Sequence, residues 1–167
     1  MLVKQVMSTT PVTSTPQATL QEIAMLMWNN DCGAVPLVDG EGRPAGMVTD
    51  RDIAMGAALQ NNALSAIRGE QVGGHREVVC CGTEDPVEDA LALMERHQIR
   101  RLPVLNPFGQ ICGMLSMGDV LACTGAPGDR PGTQPDGSVD VGQALGFLRQ
   151  VSSHHRSHKE IASAARW

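Results

Sequence analysis

Shifted by 67 residues, the chain matches itself: residues 20–54 meet residues 87–121 without a gap. Leu26 and Met27 meet Leu93 and Met94, Pro36 meets Pro103, and Gly42 meets Gly109. Gly46, Met47 and Asp52 meet Gly113, Met114 and Asp119, so GMVTDRD at 46–52 is echoed by GMLSMGD at 113–119. Upstream the shift is 66, with Val6 and Val12 meeting Val72 and Val78. A repeat of this length is one supersecondary unit written twice, and it constrains the fold more than any single motif does.

Each copy has the same order of patterns. A short apolar run (Val12–Ser14; Val78–Cys80) precedes an amphipathic helix. Leu20, Ile23, Ala24 and Met27 fall at i, i+3, i+4 and i+7, as do Val87, Ala90, Leu91 and Met94. Thr19-x-x-Glu22 is a capping box, and Asp85-Pro86-x-Glu88 offers an acceptor at the cap and Pro in the first turn. Two strands then flank a turn: AVPLVD and PAGMVT around DGEGR, RLPVL and ICGMLS around NPFG. Pro36 and Pro103 cannot donate to a ladder, which predicts edge strands or a stop in pairing. A second helix starts at Thr49 or Ser116. The expected fold is α/β of the α+β type: two β-α-β-β-α units packed by a pseudo-twofold, each covering the face the other leaves bare. The expected segments are 1–60 for the first repeat, 61–71 for a connector and 72–123 for the second repeat. A Gly/Pro-rich linker at 124–138 and a short helix with a flexible tail at 139–167 follow.

Composition narrows the function. Among 167 residues there are two Phe, two Trp and no Tyr, and the net charge is −5. Single-stranded nucleic-acid platforms need stacking rings and basic charge, and phosphate-backbone binders need cations, so neither reading fits. A flat ligand would be held by aliphatic side chains and backbone. No run of about 18 apolar residues is present, and the N-terminal MLVKQVMSTTPV lacks a signal-peptide core, so a cytoplasmic chain is expected. Cys32, Cys80, Cys81, Cys112 and Cys123 make an odd set without C-x-x-C, which points to thiols rather than a disulfide scaffold.

With the repeat, the Val6-Met7-Ser8 opening, the GAVPLVD strand and the GMVTDRD helix start together, the chain over about residues 1–123 resembles tandem CBS domains, the Bateman module. It is similar to small stand-alone bacterial CBS-pair proteins. The resemblance implies a module that binds an adenine nucleotide (AMP, ADP, ATP, NAD or S-adenosylmethionine) in the clefts between the repeats and signals to a partner protein. It also implies a homodimer.

Thr49-x-x-Asp52 and Ser116-x-x-Asp119 read two ways. As capping boxes with Asp for Glu they start helices. As ligand groups, each carboxylate could accept from a ribose cis-diol, while the hydroxyl and the helix N-terminus suit sugar or phosphate. In the family that the chain resembles, this hydroxyl residue and Asp contact ribose and phosphate; the two roles can coexist. The same resemblance implies that the base lies against Thr10, Pro11 and Val12 with Ala34, Val35 and Pro36 in the first copy. In the second it implies Glu77, Val78 and Val79 with Arg101, Leu102 and Pro103. Ordinary core packing is the alternative for these aliphatics. Arg51, beside Asp50 in the first helix start, is replaced by Gly118, beside Met117, in the second. Arg100 and Arg101 stand where the first copy has Gly33 and Ala34. Val72-Gly73-Gly74-His75 departs from the V-M-S opening, so unequal sites are expected.

His154, His155 and His158 could chelate zinc at helical spacing, but the polar terminal segment favours a solvated tail, and no metal site is assigned. No nucleophile elbow, P-loop or paired metal-carboxylate motif is present, so no catalytic residue and no catalytic cofactor are assigned. The leading reading is a non-enzymatic nucleotide sensor. Its rival is a ligand-free dimerisation module that docks a partner, and a metal or thiol sensor is a weaker third.

Overall fold

The computed structural model describes residues 1–74 and 77–123. The linker, terminal helix and histidine cluster expected beyond residue 123 lie outside the described residues, as does His75. Chain order is β1 (Ser8–Thr9), α1 (Leu20–Asn29), β2 (Ala34–Val38), β3 (Pro44–Thr49), α2 (Asp50–Gln60), α3 (Gly69–Gly73), β4 (Cys81–Gly82), α4 (Val87–His97), β5 (Arg101–Leu105), β6 (Ile111–Ser116) and α5 (Met117–Cys123). Single 3-10 turns occupy Val3–Gln5 and Leu64–Ala66. The described strands form a four-stranded sheet in the order β1-β6-β5-β4 and a two-stranded β2-β3 sheet.

The chain divides into two compact units that do not follow the repeats linearly. One holds Thr9–Cys80 with Leu105–Gly113; the other holds Met1–Ser8, Cys81–Val104 and, among the described residues, Met114–Cys123. In the first unit, α1 lays Leu20, Ile23 and Met27 onto Val35 and Leu37 of β2, Val48 of β3 and Ile67. Val12, Ala18, Leu26, Cys32, Ile53, Leu64 and Val72 close the margin of this cluster. At about 25 cal/mol per Å2 of apolar surface removed from water, such side chains are the main source of stability. In the second unit the α4 stripe Val87, Ala90, Leu91 and Met94 is buried as its spacing predicts. Val3, Leu102, Val104, Leu115 and Val120 are fully buried as well.

The repeat recurs down to individual hydrogen bonds. Asp39 and Asn106 each accept two backbone N–H groups across a turn, from Glu41 and Arg43 and from Phe108 and Gln110. Gly42 and Gly109 take φ of +78° and +79°, a conformation that glycine adopts without a Cβ penalty. After the first helix of each copy, Asp31 and Gln98 both turn left-handed, at φ +48° and +56°.

Three local expectations change. Asp85 does not cap α4: Pro86 is the cap residue, and the Asp85 carboxylate accepts the Gly82 N–H at 2.7 Å instead. The turn offers that donor first, and the helix start goes without a side-chain cap. The openings expected as strands at Val12–Ser14 and Val78–Cys80 shrink. Ser14 makes one parallel bridge to Leu37, and pairing in the second copy waits until Cys81–Gly82. Pro103 sits in β5, which lies between β6 and β4 rather than at an edge; β4 spans two residues, so little ladder is lost at the proline. The connector also holds structure its composition did not announce, the short helix α3.

Candidate functional site

The start of α2 is built by its own sequence. Thr49 closes β3 in extended geometry, and its hydroxyl accepts the Asp52 N–H at 3.2 Å. Asp52 answers with one oxygen, Oδ2, which accepts the Thr49 N–H at 2.9 Å and the Thr49 hydroxyl at 2.6 Å. Two of the helix's orphan donors are thereby satisfied. The second copy repeats this: Asp119 Oδ2 accepts the Ser116 N–H at 2.7 Å and its hydroxyl at 2.6 Å, and Ser116 Oγ accepts the Asp119 N–H at 3.2 Å. The capping half of the double reading is therefore in place, and each hydroxyl proton is spent on its Asp. What stays outside the cap in each copy is the other carboxylate oxygen.

Each helix start is also tied to the strand beside it. The Asp50 N–H donates to Gly33 O at 3.3 Å, and the Met117 N–H donates to Arg100 O at 3.1 Å. Ala34 lies opposite Thr49, Val35 opposite Val48, and Pro36 opposite Met47. Ser14 brackets the same strand, donating to Pro36 O at 3.0 Å and accepting from Val38 N at 2.8 Å, which draws the segment after Thr10, Pro11 and Val12 alongside β2. The first-copy residues Thr10–Val12, Ala34–Pro36 and Thr49–Asp52 thus belong to one unit. In the second copy Arg100–Pro103, Ser116, Met117 and Asp119 share a unit, whereas Glu77, Val78 and Val79 are grouped with the other.

Burial sorts these candidates. Val35 and Leu102 are fully buried and Ala34, Pro36, Pro103 and Met117 nearly so, which commits their side chains to packing and leaves backbone for any ligand. Val12, Val78 and Val79 are half-buried, with apolar surface to spare. Thr10 is exposed at φ +55°, a left-handed conformation unusual for a β-branched residue, and its hydroxyl donates to Thr9 O at 2.6 Å. Arg51 and Arg100 are exposed, Arg101 is half-buried, and none of them makes an ion pair among the described residues. These cations could meet an anionic ligand. Asp50 accepts the Arg51 N–H at 2.7 Å and faces solvent.

Two open hollows in the first unit lie apart from these residues. One, of about 800 Å3, is lined by Gln17, Ala45, Gln60, Glu70 and Gln71. The other, of about 950 Å3, runs past Thr15, Glu22, Met25, Asn29 and Arg68. Among the described residues no group of three or more His, Cys, Asp or Glu could hold a metal ion, and no helix is long and apolar enough to cross a membrane. Cys80 is a poor nucleophile, since burial pushes its thiol up to about 11.

Sequence reasoning missed one polar contact of the second helix start. Ser8, at the opposite end of the repeat pair, donates its hydroxyl to Asp119 Oδ1 at 3.3 Å. The VMS opening was visible, but nothing local connects it to a carboxylate 111 residues away.

Comparison with known proteins fits this double architecture. The family model of the CBS domain matches twice, at residues 3–57 and 71–124. The CBS domain-containing protein YhcV of Bacillus subtilis is 37% identical over 118 residues, covering 71% of this chain and 81% of that protein. The chain spans 22–25% of several longer enzymes with a matching region. Among solved structures, the CBS domain pair of protein MJ0100 in complex with 5′-methylthioadenosine and S-adenosyl-L-methionine superposes with a TM-score of 0.66 at 25% identity, over 73% of this chain and 98% of that one. The CBS domain protein PAE2072 from Pyrobaculum aerophilum, complexed with AMP, gives 0.65 at 28% identity, over 72% and 90%. The repeat first seen as a self-match is thus a tandem pair, and the chain belongs to the CBS domain family.

Proposed function

We propose that this chain is a cytoplasmic, non-enzymatic regulatory module that takes an adenine nucleotide at the two helix starts and signals its presence to a partner protein. The observation that carries the reading is the duplicated carboxylate. Asp52 and Asp119 each close a capping box through Oδ2; Oδ1 of Asp52 is left open, and Oδ1 of Asp119 meets the long Ser8 contact. A carboxylate oxygen at a helix start accepts hydroxyl protons well, and the positive end of the helix dipole favours a phosphate. The half-buried Val12 offers apolar contact for a base, and backbone groups of Ala34–Pro36 offer polar contact for its edge. Arg51, Arg100 and Arg101 are cations for phosphate. AMP, 5′-methylthioadenosine and S-adenosylmethionine in the complexes of the related pairs support an adenosine-bearing ligand. Signalling requires that the ligand favour one of two conformations, since a ligand with equal affinity for both shifts nothing.

Thermal-shift titration with AMP, ADP, ATP, NAD and S-adenosylmethionine tests this, because a ligand that binds only the folded state raises the midpoint. The expected result is a shift with at least one of them, and a much smaller shift with its 2′-deoxy form. Equal shifts for ribose and deoxyribose forms would remove the diol role of Asp52 and Asp119.

A second reading has its own support. Met25 and Trp28 on α1 and Met55 and Leu59 on α2 are exposed, Trp28 by 84%. Apolar side chains gathered on two helices of one unit suit a homodimer or a partner-docking face. A module that only dimerises and docks would show no thermal shift with any nucleotide.

A further inference from the structure

We infer that the chain keeps one ligand-ready carboxylate, Asp52, and withholds the other, Asp119, by means of Ser8. The inference rests on the diol role proposed above and says which copy exercises it. In both copies Oδ2 is consumed by the cap. The difference lies in Oδ1. That of Asp119 accepts the Ser8 hydroxyl at 3.3 Å, whereas that of Asp52 has no partner among the described residues. A ribose hydroxyl arriving at Asp119 meets an acceptor already holding a hydroxyl of the protein's own, and has to displace it. At Asp52 it meets an open one.

The repeat itself explains the difference. In the register that pairs Val6 with Val72, the counterpart of Ser8 is Gly74, which has no side chain to donate. Packing maintains this. Gly73 lies against β3 so closely that a Cβ on it would stand 2.5 Å from Met47 O and 2.7 Å from Val48 Cγ2. From the other side, a Cβ on Gly46 would stand 2.7 Å from Gly73 O. A Cβ on Gly74 would meet Glu70 O at 2.8 Å. The segment that replaces VMS in the second copy is thus flush backbone, where the first copy carries a hydroxyl. Charge runs the same way: Arg51 adjoins the open carboxylate in sequence, and its counterpart beside Asp119 is Gly118. The favoured ligand for the open copy is one with a ribose diol and a phosphate.

Ser8 is exposed and its bond is long, so its hold is modest, roughly three- to tenfold in affinity. Calorimetric titration of the full chain with AMP measures it. The expected result is about one strong equivalent per chain. Asp52→Asn weakens it about tenfold or more, several times more than Asp119→Asn does. In the Asp52→Asn background, Ser8→Ala then recovers roughly three- to tenfold, and it does not do so for 2′-deoxy-AMP. Urea midpoints confirm that each variant is folded. Equal losses from Asp52→Asn and Asp119→Asn, or no gain from Ser8→Ala, would overturn the inequality and leave the nucleotide reading standing. No AMP uptake by any folded variant would overturn both.

Discussion

Thr49 and Asp52 satisfy one another three times over: the Asp52 carboxylate takes the Thr49 N–H and hydroxyl at 2.9 and 2.6 Å, and the Asp52 backbone N–H donates to the Thr49 hydroxyl at 3.2 Å. Thr49→Ala removes two of these bonds at once. It should cost about 1 kcal/mol of folding stability by urea denaturation, the usual worth of such a cap. Thr49→Ser keeps the oxygen and should stay within about 0.5 kcal/mol of wild type. Under the proposed function, nucleotide affinity should fall for Thr49→Ala and be restored in Thr49→Ser.

The approach of α3 to β3 makes a second prediction. Gly73→Ala places a methyl 2.5 Å from Met47 O, where backbone must move. The expected loss is about 1–3 kcal/mol, typical of overpacking. Gly40→Ala has nothing within 4 Å and should change the urea midpoint little.

Cys80 gives a pH-dependent prediction. Burial raises its thiol from the ordinary 9.0 to about 11. In the unfolded chain the proton leaves near 9.0, and in the folded chain near 11, so the unfolded state binds fewer protons between those values. Stability contributed by the neutral thiol is whole below pH 9.0, declines as pH rises, and is lost by about 11. Wild type should lose more stability than Cys80→Ala over that window. Alkylation of Cys80 in the folded chain should remain slow at pH 9.

The exposed apolar face on α1 and α2 makes a fourth. If these helices pair two copies, Trp28→Glu together with Leu59→Glu should shift the mass measured by light scattering from dimer to monomer, while the urea midpoint stays close to wild type. An unchanged mass would remove this face from the dimer.

Much of this was readable in the sequence, for a reason that shows in particular residues. Leu20, Ile23 and Met27, and Thr19-x-x-Glu22, depend on neighbours three or four positions away, and the Glu22 carboxyl is held below its usual value by the backbone and hydroxyl of Thr19 as the box requires. Thr49 and Ser116 were legible in the same way. Asp85 was misplaced because Gly82 competes for it, and local pattern does not rank two nearby donors. The opening segments failed further, since what Ser8 and Val12 become depends on strands far along the chain. The positive φ of Thr10 has no signature either, because threonine is not a residue that announces a left-handed turn. Of the candidate site, the carboxylates and cations were visible, while for Val35 and Leu102 core packing was one of two readings, and only their burial decides for it.

The grouping of Met1–Ser8 with Cys81–Val104 has a practical consequence. Val3 donates to Asp85 O at 2.9 Å, Lys4 to Thr83 O at 3.1 Å, and Val87 to Met1 O at 2.9 Å. A scissor cut at the sequence midpoint would therefore not yield two transplantable cassettes. The C-terminal fragment would lack the ribbon that seals it, the N-terminal fragment would lose the Leu105–Gly113 hairpin tip, and each would inherit an end belonging to the other. The copies as written are not the units as folded, and swapping halves between relatives should succeed only when both crossings are exchanged together.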